Sequence, residues 1–409
     1  MLCVLRIHTL WRYHLMKILV LGSGLMGPAA AFNAMSDPDV SQVVVCDLDQ
    51  QQLDACAAKL SGMPGAEKLS TVRLDLKDQA AAARLMAGFD AAVGALPGTA
   101  SVLAARAALQ AGTPLVDLTR FDQDEFEELR QETEAAGGLL VPGCGLEPGL
   151  TEIMARYLAE KLDRVDELHI ECGGIPEEPA PPLGYKIVFG GRHLPLSEVD
   201  ALVVENGALK PVPRYSGVEP TYYAGVGECE AWHEGFMPWL LELPELKNLR
   251  VGTQKTVRWP GYAARVTLLM EMGLLSTEPV AVDGVEVAPK HVLDAVLYPR
   301  VHLEEDERDI TVFRVAAVGE KDGRARRYRI DMVDRYDEVL GFTSMARTTA
   351  FTGAIVARMI GRGDLKATGA LPPEQVVTGA LFDRLVAELG EAGIRFEVVE
   401  ERVKGLGET

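Results

Sequence analysis

The hydrophobic pattern between residues 16 and 149 alternates short apolar runs with longer helical stretches. Apolar runs predict strands at 17–21, 42–46, 70–74, 91–95, 114–118 and 138–141. Alanine-rich and leucine-rich stretches between them, such as Gln79–Ala87 and Val102–Ala111, predict helices. This alternation indicates an α/β fold, a Rossmann-type doubly wound parallel sheet. Ligands of such sheets bind outside the carboxyl ends of the strands, so we expect the chemistry in the loops there.

The pattern changes after Gly149. A helix is predicted over Leu150–Leu162, and mostly alternating segments then predict strands near 167–172, 200–204, 256–258, 263–270, 310–318 and 325–332. The pairs Asp283-Gly284 and Asp322-Gly323 are typical of hairpin turns. We therefore expect a second, α+β domain over 150–343 with a mixed or mainly antiparallel sheet.

The two ends of the chain are interpreted separately. Residues 344–358 read as a helix rich in small residues, and we expect 344–362 to pack back on the first domain. Residues 363–409 predict a last helix and a terminal strand. Residues 1–15 lack the apolar segment and cleavage site of a secretory signal, so we expect an extension outside the fold, with translation beginning at Met16.

Composition narrows the class of protein. The chain has 41 basic and 60 acidic residues, a formal charge of -19, which disfavours nucleic-acid binding because phosphates need clustered Lys and Arg. No apolar run approaches the roughly 20 residues that span a bilayer. The six cysteines form no C-x-x-C pair, and the seven histidines lack metal-ligand spacing. We expect a cytoplasmic protein with reduced thiols, no metal and a small-molecule substrate.

The first predicted strand runs directly into a G-x-G-x-x-G turn formed by Gly22, Gly24 and Gly27. Gly22 suits the tight turn, Gly24 lets backbone approach a pyrophosphate, and Gly27 lets the next helix pack closely on the strand. The predicted cofactor contacts are the loop itself and the loop after the fourth strand, which comprise Gly22, Ser23, Gly24, Leu25, Met26, Gly27, Leu96 and Pro97.

The second predicted strand ends in Asp47, twenty residues after Gly27. A carboxylate at this spacing accepts hydrogen bonds from the ribose 2′-hydroxyl and repels a 2′-phosphate. Residues 48–52 contain no Arg or Lys that could pair with such a phosphate. The sequence therefore favours NAD over NADP.

Two acidic residues follow later strands of the same sheet. Asp117 ends the fifth strand and could contact the nicotinamide ribose or a substrate amine, or it could cap the following turn. Glu147 precedes Pro148 at the expected start of a helix. It could bind an ammonium group, although an acid at a helix start is also explained by the helix dipole.

Five segments of the chain resemble the saccharopine dehydrogenase family, and the resemblance extends from Met16 to about Gly361. They are Gly145–Gly149, Cys172–Pro176, Pro181–Lys186, Val257–Gly261 and Met345–Phe351. Within that family the chain most resembles the L-lysine 6-dehydrogenases. The resemblance implies a substrate-binding domain after the Rossmann domain, a nicotinamide cofactor, and NAD-dependent oxidation of the 6-amino group of L-lysine to a semialdehyde that cyclises. It also implies a homodimer.

Two departures from the family bear on the substrate. The NADP-dependent saccharopine reductases are expected to carry Arg just after the second strand, where this chain has Asp47. They also present an Arg for the extra carboxylates of saccharopine, and residues 228–234 contain none. Both departures favour lysine. The alternatives are a saccharopine or carboxynorspermidine dehydrogenase and a non-catalytic NAD-sensing regulator.

Oxidation at an amine requires a base, because a protonated nitrogen cannot become an iminium. By the resemblance, His233 could shuttle this proton, since an unperturbed imidazole has a pKa of about 6.5. Arg258 is the first candidate to hold the α-carboxylate, because its guanidinium can bind bidentately, and Lys186 is the second. Tyr185 could pack on the methylene stem. The alternatives are a surface arginine, a core tyrosine and a structural histidine.

Overall fold

The computed structural model describes residues 15–189 and 193–402. The expectations for the first fourteen residues, including the start of translation, lie outside the described residues. The elements of the first domain are β1 (Met16–Leu21), α1 (Gly27–Ser36), β2 (Val40–Asp47), α2 (Gln50–Leu60), β3 (Leu69–Arg73), α3 (Gln79–Met86), β4 (Ala91–Gly94), α4 (Gly98–Ala111), β5 (Leu115–Asp117), α5 (Gln123–Ala136) and β6 (Leu139–Val141).

The remaining elements belong to the second half of the chain. They are α6 (Leu150–Ala159), β7 (Arg164–Pro176), β8 (Ala201–Glu205), β9 (Ala208–Val212), β10 (Glu219–Tyr223), β11 (Gly227–His233), β12 (Val251–Arg258), α7 (Tyr262–Glu271), β13 (Val280–Val282), β14 (Val285–Val287), α8 (Pro289–Val301), β15 (Asp309–Lys321), β16 (Arg324–Arg335), α9 (Ser344–Arg362), β17 (Gly369–Ala370), α10 (Pro373–Val376), α11 (Ala380–Glu391) and β18 (Glu397–Arg402).

The first sheet has seven parallel strands in the order β17-β6-β5-β4-β1-β2-β3. Both faces are covered, since alternate residues of β1 enter two separate cores. Ile18 and Val20 belong to one core and Leu19 and Leu21 to the other. The doubly wound parallel sheet predicted from the sequence is confirmed.

The second sheet is mixed. Its main path is β10-β11-β12-β7-β15-β16-β18, with β8 paired to β12 and β9. The pair β12 and β7 is parallel, and the other pairs are antiparallel. The strand predicted at 263–270 is wrong, because this segment is helix α7. Its buried residues Tyr262, Ala263 and Val266 follow the helical period and not alternation.

Helix α9 connects the two sheets. It packs against α1, β1, β4 and β5 of the first domain and against β15 of the second. A Cβ atom at Gly353 would lie 2.4 Å from Leu118 Cδ2, so this glycine permits the close approach. At the other contact, the carboxylate of Asp309 accepts hydrogen bonds from the backbone N–H groups of Ser344 (2.7 Å) and Met345 (2.9 Å). The start of α9 is thereby fixed to the second sheet.

The described residues form neither a helix that could span a membrane nor a cluster of metal ligands. None of the helices in this part of the chain is both long and apolar enough to cross a membrane. Within 15–189 and 193–402, no three His, Cys, Asp or Glu side chains come together in a way that could hold a metal ion.

Candidate active site

A cavity of about 1120 Å³ lies between the two sheets. One wall consists of loops at the carboxyl ends of β1 to β6, where the parallel sheet places its ligands. The other wall comes from β7, β11, β12 and the first turns of α9. Residues from both walls line the cavity, among them Gly22, Gly24, Asp47, Lys77, Leu96, Pro97, Arg120, Glu147, Cys172, Trp232, Glu234, Gln254, Thr256, Arg258 and Tyr262.

The glycine turn has the geometry that dinucleotide binding requires. Gly22 has a φ of +96°, and a Cβ there would lie 2.3 Å from the carbonyl oxygen of Ala95. A Cβ at Gly27 would lie 2.0 Å from the carbonyl oxygen of Gly22, so a side chain would separate α1 from β1. Around Gly24 no atom lies within 4 Å of the Cβ position. The turn therefore leaves open space toward the cavity where a pyrophosphate can approach backbone N–H groups.

Asp47 is fixed beside this turn by the chain itself. Its Oδ2 accepts hydrogen bonds from the backbone N–H (2.7 Å) and the hydroxyl (2.8 Å) of Ser23. Its Oδ1 accepts one from the N–H of Asp49 at 3.0 Å. An ionised carboxylate has about four acceptor positions, so one remains for a ribose hydroxyl. Ser23 thus acts on the cofactor site by orienting Asp47.

The rest of this wall also fits a nicotinamide dinucleotide. Leu25, Met26, Leu96 and Pro97 line the cavity and provide apolar surface. Two cationic side chains from outside residues 48–52, Arg73 and Lys77, lie at the end of the cavity near Asp47. Arg73 donates from Nε to the carbonyl oxygen of Leu48 at 3.0 Å, and Lys77 lines the cavity.

Glu147 lies at the end of the loop after β6, where this loop meets β12 of the other wall. Its Oε1 accepts a hydrogen bond from Nε2 of Gln254 at 3.0 Å. Burial, and next the charge of Glu152, raise the pKa of Glu147 to about 8, while the hydrogen bond from Gln254 opposes that rise. Glu147 is therefore a carboxyl group that exchanges a proton near neutral pH.

Alternate residues of β12 form a polar row along the cavity wall. Gln254, Thr256 and Arg258 line the cavity and are 1%, 6% and 5% exposed. Thr256 donates to Oε2 of Glu234 at 3.2 Å. The row therefore begins beside Glu147, passes Glu234, and ends at a guanidinium group.

Arg258 is held by aromatic rings and by backbone. Its guanidinium carbon lies 4.8 Å from the ring centroid of Tyr185 and 5.7 Å from that of Tyr262, and its Nη1 donates to the carbonyl oxygen of Val257 at 2.8 Å. Trp232 stacks on Tyr262 with ring centroids 6.0 Å apart. Within the described part of the chain, no carboxylate pairs with Arg258. A buried guanidinium in this state can bind an anionic group.

Both halves of the chain match models of one family. The model described as "Saccharopine dehydrogenase NADP binding domain" matches residues 18–141, and the one described as "Saccharopine dehydrogenase C-terminal domain" matches residues 145–394. The chain belongs to the saccharopine dehydrogenase family. It is an NAD(P)-dependent dehydrogenase, and its first domain carries the nicotinamide cofactor.

Relatives from the same family align along nearly the whole chain. A carboxyaminopropylagmatine dehydrogenase from Synechocystis is 24% identical and covers 94% of this chain and 97% of its own. A saccharopine dehydrogenase (NADP⁺, L-glutamate-forming) from Schizosaccharomyces pombe is 23% identical and covers 93% and 98%. The structure of an apo saccharopine dehydrogenase (L-Glu forming) from Saccharomyces cerevisiae superposes with a TM-score of 0.77 at 20% identity, over 94% and 100% of the two chains. That likeness supports the fold.

Asp117 is a catalytic candidate from the sequence, but it does not line the cavity. It is fully buried, and its Oδ1 accepts hydrogen bonds from the N–H of Thr119 (2.8 Å) and the hydroxyl of Ser101 (3.2 Å). Burial raises the pKa of Asp117 to about 7. The geometry matches the turn-capping alternative, and the catalytic role has no contact with the cavity to support it.

His233 and the Tyr185-Lys186 pair also lie outside the cavity wall, contrary to expectation. A Cβ at Gly217 would lie 2.2 Å from His233 Nε2, so this imidazole packs against the loop on the other face of β11. Lys186 donates to the carbonyl oxygen of His302 at 3.0 Å and pairs with Glu307 at 2.7 Å. Tyr185 lies behind Arg258, supports its guanidinium group and does not line the cavity.

The register of β11 and β12 explains why His233 lies outside the cavity wall. His233 pairs with Lys255, whereas Trp232 pairs with Thr256, which faces the cavity. Neighbours in a strand point to opposite faces, so Trp232 is on the site side and His233 is not. Sequence reasoning also missed Glu234, Gln254 and Thr256. The signal was available, because residues two and four positions before Arg258 share its face.

Proposed function

We propose that the chain is an NAD-dependent oxidoreductase that oxidatively deaminates the 6-amino group of L-lysine. The observation that carries the proposal is the polar row of β12, with Arg258 at one end and the carboxylates of Glu147 and Glu234 toward the other. A ligand that satisfies this wall has one carboxylate and at least one amine.

The carboxylate end favours a substrate with a single acid group. Arg258 is a buried guanidinium without a carboxylate partner among residues 15–189 and 193–402, so it can bind an α-carboxylate bidentately. Glu234 also lines this wall, and its carboxylate would repel a second carboxylate of a ligand. Lysine has one carboxylate, and saccharopine has more, which supports lysine as the substrate.

The amine end matches the length of such a substrate. Gln254, which binds Glu147, and Arg258 are four residues apart on one strand, or about 13 Å between Cα atoms. Side chains from both ends shorten the gap between the charged groups. A lysine bound through its carboxylate at Arg258 extends along the row, with Trp232 and Tyr262 beside its methylene stem, and its 6-ammonium group reaches the carboxylates.

Glu147 is the residue that we assign to proton exchange. The ammonium group must lose a proton before its lone pair can assist oxidation, and ionised Glu147 can accept that proton. A nicotinamide bound at the glycine turn supplies the hydride acceptor. Hydrolysis of the resulting imine releases ammonia and a semialdehyde, and the free α-amine of that product can attack its own aldehyde and close a ring.

NAD is the cofactor that we propose. Asp47 supports it, because its carboxylate is fixed beside the glycine turn, where it would repel a 2′-phosphate. NADP is the alternative, since the matching family model is named for it and Arg73 and Lys77 lie at the same end.

A second candidate function is oxidation of a carboxylated polyamine at a secondary amine. It is favoured by the near full-length match to the carboxyaminopropylagmatine dehydrogenase. The name of that relative describes one carboxyl group joined to a cationic agmatine. The guanidinium of Arg258 suits the carboxyl group, and Glu147 and Glu234 suit the cation.

One assay separates the candidates. L-lysine, saccharopine, carboxynorspermidine and carboxyaminopropylagmatine are offered with NAD and with NADP, and reduced nicotinamide is followed by its absorbance. Reduction with lysine and NAD is the expected result. Reduction with saccharopine only, or with a polyamine only, would overturn lysine in favour of that substrate. Nucleotide binding without reduction by any of the four would support a regulator that senses NAD.

We also propose a homodimer, as the family resemblance implies. Light scattering coupled to size-exclusion chromatography should give twice the mass of the 409-residue chain. A single-chain mass at micromolar concentration would contradict it.

A further inference from the structure

Glu152 is a buried carboxylate one layer behind the cavity. It is 0% exposed and does not line the cavity. Its Oε2 accepts hydrogen bonds from the N–H of Gly149 (2.6 Å) and the hydroxyl of Thr151 (2.8 Å). Its Oε1 accepts one from Nε2 of Gln254 at 2.8 Å. Burial raises the pKa of Glu152, and the three donors that face its carboxylate oppose that rise.

The amide group of Gln254 connects Glu152 to the active-site carboxyl. Nε2 donates to both Glu152 and Glu147, at 2.8 and 3.0 Å. The amide oxygen accepts the N–H of Met237 at 3.2 Å, which fixes which end of the amide faces the carboxylates. One NH₂ group thus holds two carboxylates at a separation of roughly 5 Å.

Two carboxyl groups at this distance, one fully buried and one half-buried in the cavity wall, do not ionise together at neutral pH. Glu152 has three hydrogen-bond donors, whereas Glu147 receives one N–H from Gln254. The charge therefore stays on Glu152 and the proton stays on Glu147. The other titratable groups that face Glu147 are Glu234, whose charge adds to the effect of Glu152, and the Cys172 thiol, whose hydrogen bond opposes it. Arg214 pairs with Glu234 and offsets part of its charge.

We propose that Glu152 is a positioning residue which, through Gln254, keeps the proton on Glu147 until a cationic amine enters the cavity. The inference rests on the proposed function, in which Glu147 exchanges a proton with the substrate amine. When the ammonium group binds, its charge offsets that of Glu152, and Glu147 releases its proton to solvent. The resulting carboxylate then takes the proton of the ammonium group, so one proton leaves on binding and Glu147 is protonated again at the end of the transfer.

Two substitutions should change the pH profile in opposite directions. Glu152→Met removes the buried charge and leaves Gln254 bound to Glu147, so the pH at which oxidation reaches half its maximum should fall by one unit or more from about 8. Gln254→Met removes the donor to Glu147 and keeps the charge of Glu152, so the same midpoint should rise. Both are measured as kcat/KM for the amine against pH at saturating cofactor, because kcat/KM reports the pKa values of the enzyme before the amine binds.

Glu374→Gln is the matched control. Glu374 is also 0% exposed, burial raises its pKa to about 8, and within the described part of the chain no hydrogen bond joins its carboxyl group to Glu147 or Gln254. This substitution should leave the midpoint of the kcat/KM profile in place. A shift as large as that of Glu152→Met would overturn the proposal, because any nearby buried carboxyl group would then serve.

Calorimetry gives a readout that turnover does not affect. Amine binding to the NAD complex, titrated in buffers of different ionisation enthalpy at pH 7, should release close to one proton from the wild type and much less from Glu152→Met. Equal release from both proteins, or midpoints that move in the same direction in the two variants, would overturn the role of Glu152. If Glu152→Met does not fold, Gln254→Met alone decides, since a midpoint that falls or stays contradicts the proposal.

Failure of this inference is distinguishable from failure of the proposed substrate. The profiles can be measured with whichever amine the wild type oxidises, so loss of lysine activity alone leaves the test intact. If no amine is oxidised, carboxyl ¹³C NMR of glutamate-labelled protein, with Glu147→Gln for assignment, reports the proton directly. A Glu147 signal that titrates at the ordinary glutamate pKa would then overturn the proposal.

Discussion

The two walls of the cavity are built by different means. On the cofactor wall, the turn at Gly22, Gly24 and Gly27 acts through backbone, and the carboxylate of Asp47 is fixed by Ser23 within the same loop region. On the substrate wall, Gln254, Thr256 and Arg258 act through buried side chains on a strand of the other sheet. Backbone recognition suits a cofactor that many enzymes share, whereas buried side chains determine which substrate can bind.

The difference also affects how substitutions act. A side chain added to the glycine turn either collides with backbone or fills the space for the ligand. A side chain removed from the substrate wall leaves a buried partner without its hydrogen bond or charge, which costs more. We therefore expect the largest losses of activity from the substrate wall.

Arg258→Met should give the largest effect. It removes the buried guanidinium that we assign to the α-carboxylate, and the loss of a charge-assisted bidentate contact should lower kcat/KM by about 10³-fold. Lys186→Met is the matched control, since Lys186 pairs with Glu307 outside the cavity and should change kcat/KM by less than about threefold. Steady-state kinetics with the amine that the wild type oxidises measures kcat/KM of both variants. Equal losses would place the carboxylate elsewhere.

Glu147→Gln should lower kcat by about 10²-fold or more, because a carboxamide cannot take the amine proton. The fold should persist, since Gln keeps an oxygen for the hydrogen bond from Gln254. His233→Gln is the comparison, because this imidazole lies on the opposite face of β11 and should leave kcat nearly unchanged. Circular dichroism checks the fold. An unchanged rate in Glu147→Gln would remove Glu147 from the mechanism.

Two substitutions in the glycine turn should affect different quantities, one the affinity for the dinucleotide and the other the stability of the protein. Gly24→Ala places a methyl group in open space that a pyrophosphate would occupy, so the Kd for the dinucleotide should rise by about tenfold with little change in Tm. Gly27→Ala places its Cβ 2.0 Å from the carbonyl oxygen of Gly22, so Tm should fall in the absence of cofactor. Fluorescence titration and thermal unfolding measure the two quantities. A Tm loss in Gly24→Ala equal to that of Gly27→Ala would contradict the distinction.

The cofactor wall could be predicted from sequence because its information is local. The spacing of three glycines and the acid at Asp47 lies within one strand-helix-strand unit, and each prediction depends on few residues. The family and the parallel sheet were predicted correctly for the same reason.

The substrate wall depends on register between strands that are distant in the chain. His233 was chosen although Trp232 and Glu234 face the cavity, since the sequence does not state which face of β11 is covered. Gln254 was overlooked because its role appears only when Glu147 and Glu152, about a hundred residues away, are brought to it by the fold. The strand predicted at 263–270 failed because a short apolar segment fits two periods.

Asp117 gives the smallest expected effect and tests whether it belongs to either wall. Burial raises the pKa of Asp117 to about 7 from an ordinary value near 4, so the folded state binds a proton that the unfolded state releases. The stability from this group is therefore present below pH 4 and is lost as pH rises toward 7, with a slope of at most about 1.4 kcal/mol per pH unit. Asp117→Asn should flatten this part of the dependence of unfolding free energy on pH and should leave kcat unchanged, because an amide oxygen can still accept the N–H of Thr119. A large loss of kcat with intact stability would instead mean that Asp117 acts on the ligands, and that the cofactor wall, too, uses a buried side chain.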